Sequence, residues 1–307
     1  MHLFTEQLNN WDDWHDKKIS ASAFTTLIAC IMQKEKLPLS DIKNTMPGTN
    51  AVFRVGEYAV KIFAPSALHG GMHKGYGIDV DVELFGIKWA NDRGVPSPRL
   101  IASGVVVDKY CFHYMVMDYV YGIALDKIEA KLSHEEKVTI GRNVRNITNN
   151  LNLPCENFTA IDIMEFATNN DGWKNEGFPE SFLTELSTFL NEFHIGQKVY
   201  CHGDFHDDNM NVSLVDFADS MYAPAEYELV YIVSSLFGFE KSYMEGYFGE
   251  NYIVDDILAL CMMWLPIHAW SHGMLAEAIG PAEQITSFSV MRQRLKNWIE
   301  KGRLKTS

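Results

Sequence analysis

Two aspartates and an asparagine stand at spacings that suit phosphate chemistry. The run His202-Gly203-Asp204-Phe205-His206-Asp207-Asp208-Asn209 is followed by Leu214-Val215-Asp216-Phe217. Moving a phosphoryl group to an alcohol needs a carboxylate near the attacking hydroxyl. It also needs oxygen ligands for a magnesium ion, which offsets charge developing on the phosphates. Asp204 suits the first task. Asn209, five positions on, and Asp216, at the end of a short apolar run, suit the second. A solvated acidic loop closing a strand is the simpler explanation of the acids, but it leaves the coincidence of four residue types at fixed spacing unexplained. His206 has two equal readings, as a brace for the loop or as a histidine satisfied by local backbone.

Such chemistry also requires a cation on the nucleotide phosphates and something to aim it. Lys61 lies in Ala59-Val60-Lys61-Ile62-Phe63, a pattern like the strand that carries a phosphate-contacting lysine. An alternating strand ordinarily leaves a lysine in solvent, so Lys61 alone does not separate a phosphate contact from a solvated side chain. Glu83 stands 22 residues later on an expected helix, followed by Leu84, Ile87 and Trp89, a better helical setting than that of its neighbours Asp79 and Asp81. Pro47-Gly48-Thr49-Asn50 precedes the strand and offers backbone N–H groups to phosphate, although a glycine in an ordinary turn would look the same. His69 and His73 flank a glycine-rich loop without further ligands at zinc-binding spacing.

The elements that must hold these residues change character along the chain. Ser20 to Lys36 has a helical apolar period, ended by Leu37-Pro38. Ala51 to Val55 and Tyr58 to Phe63 read as a hairpin around Gly56-Glu57. Pro65 to Gly77 reads as a loop, Asp79 to Asp92 as a helix, and Arg99 to Val107 with Tyr110 to Asp118 as a second strand pair. After Gly122 helices dominate: Ser133 to Leu151 with a capping-box start, Glu180 to Phe193, Ala225 to Phe237 and Asp255 to Ala278, with a short strand at Lys198 to Cys201. The expectation is an α+β fold with a boundary between Val120 and Ala124. Residues 1–120 form a β-rich nucleotide-binding lobe with one key helix and a helical extension over 1–40. Residues 121–307 form a mostly helical lobe for catalysis and substrate. A cleft between lobes is a common place for a nucleotide.

HGDFHDDN, the VDF strand, AVKIF and GVPSPRLIASG together resemble the aminoglycoside phosphotransferase family, over roughly Gly48 to Leu229. The resemblance implies a protein-kinase-like two-lobe fold and transfer of the ATP γ-phosphoryl group. HGD in place of HRD, and the lack of an APE signature, point to a small-molecule acceptor rather than a protein. It makes Asp204 the catalytic carboxylate and Asn209 and Asp216 the magnesium ligands. Lys61 contacts the phosphates, Glu83 orients it, and the backbone of Asp118 and Val120, in Met117-Asp118-Tyr119-Val120, meets the adenine edge. Ala225-Glu226-Tyr227-Glu228 is similar to the family's acidic-aromatic turn. One departure is the link from Asn209 to Asp216, only seven positions where the family has a longer hairpin.

Composition narrows the partners. The net charge of −14 disfavours nucleic acid, whose phosphates need Lys and Arg. Five scattered cysteines without a CxxC pair fit a reducing, cytoplasmic compartment. The start MHLFTEQLNNWDDWHDKK has no apolar signal-peptide core, and Ile257 to Trp270 is short for a bilayer. Asp204 to Asp256 holds twelve acids and one base, Lys241, interleaved with Tyr222, Tyr227, Tyr243, Tyr247, Phe248 and Tyr252. Such a segment suits either a solvated acidic face or a pocket for a cation such as an aminoglycoside antibiotic. Alternatives are a metabolic kinase for choline, homoserine or a sugar, and a nucleotide-binding regulatory module with little turnover.

Overall fold

A computed structural model describes residues 2–45, 48–68, 80–123, 125–156, 158, 162–205 and 214–301. Two compact units divide it. One is Met1–Gly122 with Asn211–Asp219, and the other is Ile123–Met210 with Ser220–Ser307.

In chain order the first unit holds α1 (Trp11–Lys17), α2 (Ala21–Lys34), β1 (Ile42–Asn44), β2 (Ala51–Val55), β3 (Tyr58–Ile62), α3 (Val80–Asp92), β4 (Leu100–Val107) and β5 (Cys111–Asp118). The strands form one antiparallel sheet in the order β1-β2-β3-β5-β4. The apolar stripe of α2, Phe24, Leu27, Ile28 and Ile31, recurs at helical spacing and is fully buried. It packs with Phe53, Val60, Ile62 and Phe112 of the sheet. Each of these side chains contributes roughly 2 kcal/mol by leaving water.

Strand alternation then decides where Lys61 goes. Val60 and Ile62 point into the α2 core, so Lys61 between them points to the opposite face. On α3 the buried positions 83, 86, 87 and 90 form a helical stripe, and Glu83 stands within it. The expected strand before Asp216 is reduced to a single bridging residue, Leu214, whose N–H donates to the Pro96 carbonyl after α3 at 2.7 Å.

The second unit contains α4 (Leu125–Ile128), α5 (His134–Leu151), α6 (Ile163–Thr168), α7 (Gly172–Asn175), α8 (Glu180–Glu192), β6 (Val199–Cys201), β7 (Met221–Ala223), α9 (Ala225–Tyr231), α10 (Lys241–Phe248), α11 (Val254–Trp264), α12 (Ser271–Ala278) and α13 (Phe288–Lys301). The capping box at Ser133 and Glu136 is formed, with reciprocal bonds of 3.3 and 2.7 Å. The expected helix from Asp255 to Ala278 is instead two helices. Pro266 lacks the N–H that continuation needs, and Ser271 Oγ caps the break by donating to the Leu265 and His268 carbonyls. Among the described residues no helix is long and apolar enough to cross a membrane.

Helices α5 and α10 cross through two glycines. A Cβ at Gly141 would lie 2.2 Å from the Tyr243 carbonyl, and one at Gly246 would lie 2.1 Å from the Val138 carbonyl. Backbone atoms cannot yield as a flexible side chain would. Gly141→Ala should therefore cost roughly 3 kcal/mol, lowering the melting temperature by roughly 6–12 °C in a thermal scan. An unchanged transition would mean that the crossing is looser than these contacts imply.

Candidate active site

Lys61 occupies the centre of the first unit's polar cluster. Its Nζ lies 2.7 and 2.6 Å from the two Glu83 carboxylate oxygens and 3.0 Å from Asp216 Oδ1. Lys61 and Glu83 are 4% and 2% exposed, whereas the Asp216 side chain is 45% exposed. Burial opposes the Lys61 charge, but Asp216 and Glu83 outweigh it and hold the ammonium above its ordinary range. Burial pushes the Glu83 carboxyl up against the pull of Lys61. Asp216 has a φ of 59°, a left-handed conformation uncommon for a residue with a side chain. One carboxylate is thus sealed in with the lysine, while the other keeps an open side toward solvent.

The catalytic-loop sequence belongs to the second unit and follows β6. Gly203 adopts a φ of 86°, which a Cβ would strain, so the glycine of HGD is a backbone requirement. Glu228, on α9 and 1% exposed, accepts the Gly203 N–H at 3.0 Å and also takes the His202 N–H. One carboxylate therefore fastens the two residues before Asp204. Burial pushes the Glu228 carboxyl up to about 7, with a smaller push from Asp204 and opposition from the two N–H donors. His202 is fully buried and meets the Phe205 ring edge-on at 5.9 Å between centroids. Asp204 is partly exposed. Asn209 and His206 lie outside the described residues, as do His69, His73 and Asp79.

The backbone at the end of β5 is selectively occupied. The Asp118 N–H donates to the Arg99 carbonyl at 3.0 Å and the Tyr119 N–H to the Glu57 carbonyl at 2.8 Å. No hydrogen bond of this kind engages the Val120 N–H among the described residues. Arg54 lies against the Tyr119 and Tyr121 rings at 4.8 and 4.7 Å and stiffens this turn. Gly48 is exposed, and a Cβ there would meet nothing within 4 Å. The Asn50 side chain accepts the Ala64 N–H at 3.3 Å and pins the start of β2.

Residues 49–253 match the model of the APH phosphotransferase enzyme family. The chain belongs to that family. It is a small-molecule O-phosphotransferase. Comparison with curated proteins finds no match. Among solved structures, the chain is similar to a GDP complex of aminoglycoside 2'-phosphotransferase-IIIa at 14% identity, covering 91% of this chain and 95% of that one, with a TM-score of 0.55. A streptomycin–ATP complex of APH(2")-IIa matches at 13% identity over 86% and 97%, with a TM-score of 0.55. APH(3'')-Id from Streptomyces rimosus matches at 18% identity over 82% and 99%, with a TM-score of 0.53. These likenesses show the kinase-like α+β fold.

Several aromatic and acidic residues of the phosphotransferase do other work than the sequence suggested. Tyr227 and Tyr243 are fully buried core residues and cannot line an open pocket. Glu240 pairs with Lys137 at 2.6 Å, Glu245 with Lys241 at 3.3 Å, and Asp255 with Lys296 at 3.7 Å. Three of the segment's twelve acids thus have cationic partners, two of them from elsewhere in the chain. The loop-fastening role of Glu228 was missed by sequence reading. Its one signal was an acid amid Tyr227, Leu229 and Val230 on a helix otherwise made for the core.

Two outcomes follow from this geometry. Removing Lys61 strands the buried Glu83, and removing Glu83 leaves Lys61 with Asp216 alone; breaking such a buried pair costs about 3–5 kcal/mol. Lys61→Met and Glu83→Gln should each destabilise strongly, and the double variant should lose less than their sum; strict additivity in denaturant titrations would contradict the pairing. Glu228 ordinarily titrates at 4.5 but here at about 7, so between these values the folded chain binds more protons than the unfolded one. Its contribution to stability is full below about pH 4.5 and lost as pH rises through about 7. Unfolding curves at pH 5 and pH 8 should show that loss in the wild type and a flatter response in Glu228→Gln. Equal responses would remove Glu228 from this role.

Proposed function

We propose that the enzyme moves the γ-phosphoryl group of ATP to a hydroxyl of a small, cationic molecule such as an aminoglycoside antibiotic. The observation that carries this reading is the buried Lys61, held by Glu83 and sharing Asp216. A lysine kept charged and oriented in this way suits an anionic phosphate chain. Residues 1–120 bind the nucleotide, with Gly48, Thr49 and Asn50 offering backbone N–H groups to phosphate. The Asp118 carbonyl and the Val120 N–H meet the adenine edge, and that no hydrogen bond engages the Val120 N–H among the described residues supports that assignment. Residues 121–307 supply Asp204, which accepts the hydroxyl proton as the new bond forms, and bind the acceptor.

The half-exposed Asp216 carboxylate fits an oxygen ligand for magnesium, and Asn209 is assigned as its companion. When bound, the ion offsets charge that develops on the phosphates. Lys61 holds the phosphates, Glu83 fixes the Lys61 ammonium, and Glu228 fixes the backbone that carries Asp204. The cationic character of the acceptor draws support from a cavity of about 600 Å³ in the second unit, lined by Glu250, Asp256, Tyr252 and Phe248. Five free cysteines fit a cytoplasmic setting.

Release of ADP over a panel of aminoglycosides, amino alcohols and sugars tests the acceptor class. Turnover only with neutral sugars would overturn the cationic assignment. In the same assay Asp204→Asn should abolish turnover while calorimetry finds ATP binding nearly intact. Asp216→Ala should lose both. Full activity in Asp204→Asn would remove it from the reaction.

A further inference from the structure

Lys18 follows the last turn of α1 and is 7% exposed. Its ammonium donates to the Gly48 carbonyl, and among the described residues no carboxylate pairs with it. A buried cation without a counter-charge is costly, and burial lowers its pKa. Trp14 stands one helical turn earlier on the same face. It is fully buried against Phe24, at 5.9 Å between ring centroids, and its indole N–H donates to the Thr49 carbonyl at 3.0 Å. Two successive carbonyls, those of Gly48 and Thr49, are thus drawn toward α1.

Peptide geometry turns this into a statement about the other side of the loop. In a trans peptide the carbonyl and the following N–H point in opposite directions. Fixing the Gly48 and Thr49 carbonyls on α1 aims the Thr49 and Asn50 N–H groups away from it, and the space beside Gly48 is open. The helix is itself anchored. The Asn10 side chain caps it by accepting the Asp13 N–H at 2.9 Å, and Asp108, between β4 and β5, accepts the Leu3 N–H at 2.7 Å.

We infer that α1 is part of the nucleotide site: Trp14 and Lys18 are positioning residues that aim the loop N–H groups at phosphate, whose charge lies across the peptide from the Lys18 ammonium and attracts it through the buried loop. This rests on the reading of residues 48–50 given above. It extends that reading to an element outside the residues 49–253 that the family model matches.

Calorimetry of the full chain with adenosine, guanosine and their di- and triphosphates tests the inference without any acceptor. Lys18→Met should leave nucleoside affinity unchanged and weaken the di- and triphosphates about tenfold, the scale of one hydrogen bond to a charged group. Lys18→Arg should restore most of that loss. The melting temperature of ligand-free Lys18→Met should be equal to or above that of the wild type, because an uncompensated charge has gone. Trp14→Phe, which keeps a ring in the core, should weaken triphosphate binding by about threefold. Equal losses for nucleoside and triphosphate, or no loss in either variant, would make α1 merely structural. If the wild type binds none of these compounds, the phosphate-loop reading itself fails along with the inference.

Discussion

Two carboxylates share one buried ammonium, and much of the first unit is arranged around that constraint. A lysine sealed at 4% exposure cannot be tolerated without partners. β3 presents it on the face away from the α2 core, α3 brings Glu83 to within 2.7 Å, and the irregular segment after Leu214 brings Asp216 to 3.0 Å. The cluster carries one positive and two negative charges. Glu83 is closed in with Lys61, so its charge is spent on orientation. Asp216 is half-exposed, so the two carboxylates that share the lysine differ in their access to solvent.

The second unit solves a different problem, that of presenting a carboxylate on a short loop at a fixed angle. Gly203 takes a backbone conformation that other residues resist, and Glu228 holds the two N–H groups that lead into the bend. Burying an acid for this purpose makes its protonation state part of the loop's structure. The site therefore acquires a pH dependence through a residue that need not touch the acceptor. The tyrosines and acids around it divide between core, surface ion pairs and the lining of surface cavities.

Where local rules act alone, the sequence was a good guide. The α2 stripe, the hairpin around Gly56 and the capping box of α5 all formed within a residue or two of expectation. Glu83 was legible because it stands at a stripe position of a helix, where an acid demands a buried cation. What escaped were contacts between distant segments. Nothing near Trp14 or Lys18 announces that they reach Gly48 and Thr49. The neutralising partners Lys137 and Lys296 lie far from the acids they meet. The break between α11 and α12 was marked by Pro266, but the apolar run on both sides masked it. Tyr227 and Tyr243 looked like a cation-binding set because composition alone does not tell a core aromatic from a pocket aromatic.

The central claim is that the buried Lys61 meets the nucleotide phosphates. An acyl-phosphate derivative of ATP transfers its acyl group to an amine lying at the phosphates, and peptide mass spectrometry locates the label. The account predicts acylation of Lys61, suppressed by excess ATP and reduced in Glu83→Gln, where the ammonium loses its guide. Labelling that ignores excess ATP, or that falls on other lysines while Lys61 stays unmodified, would contradict it.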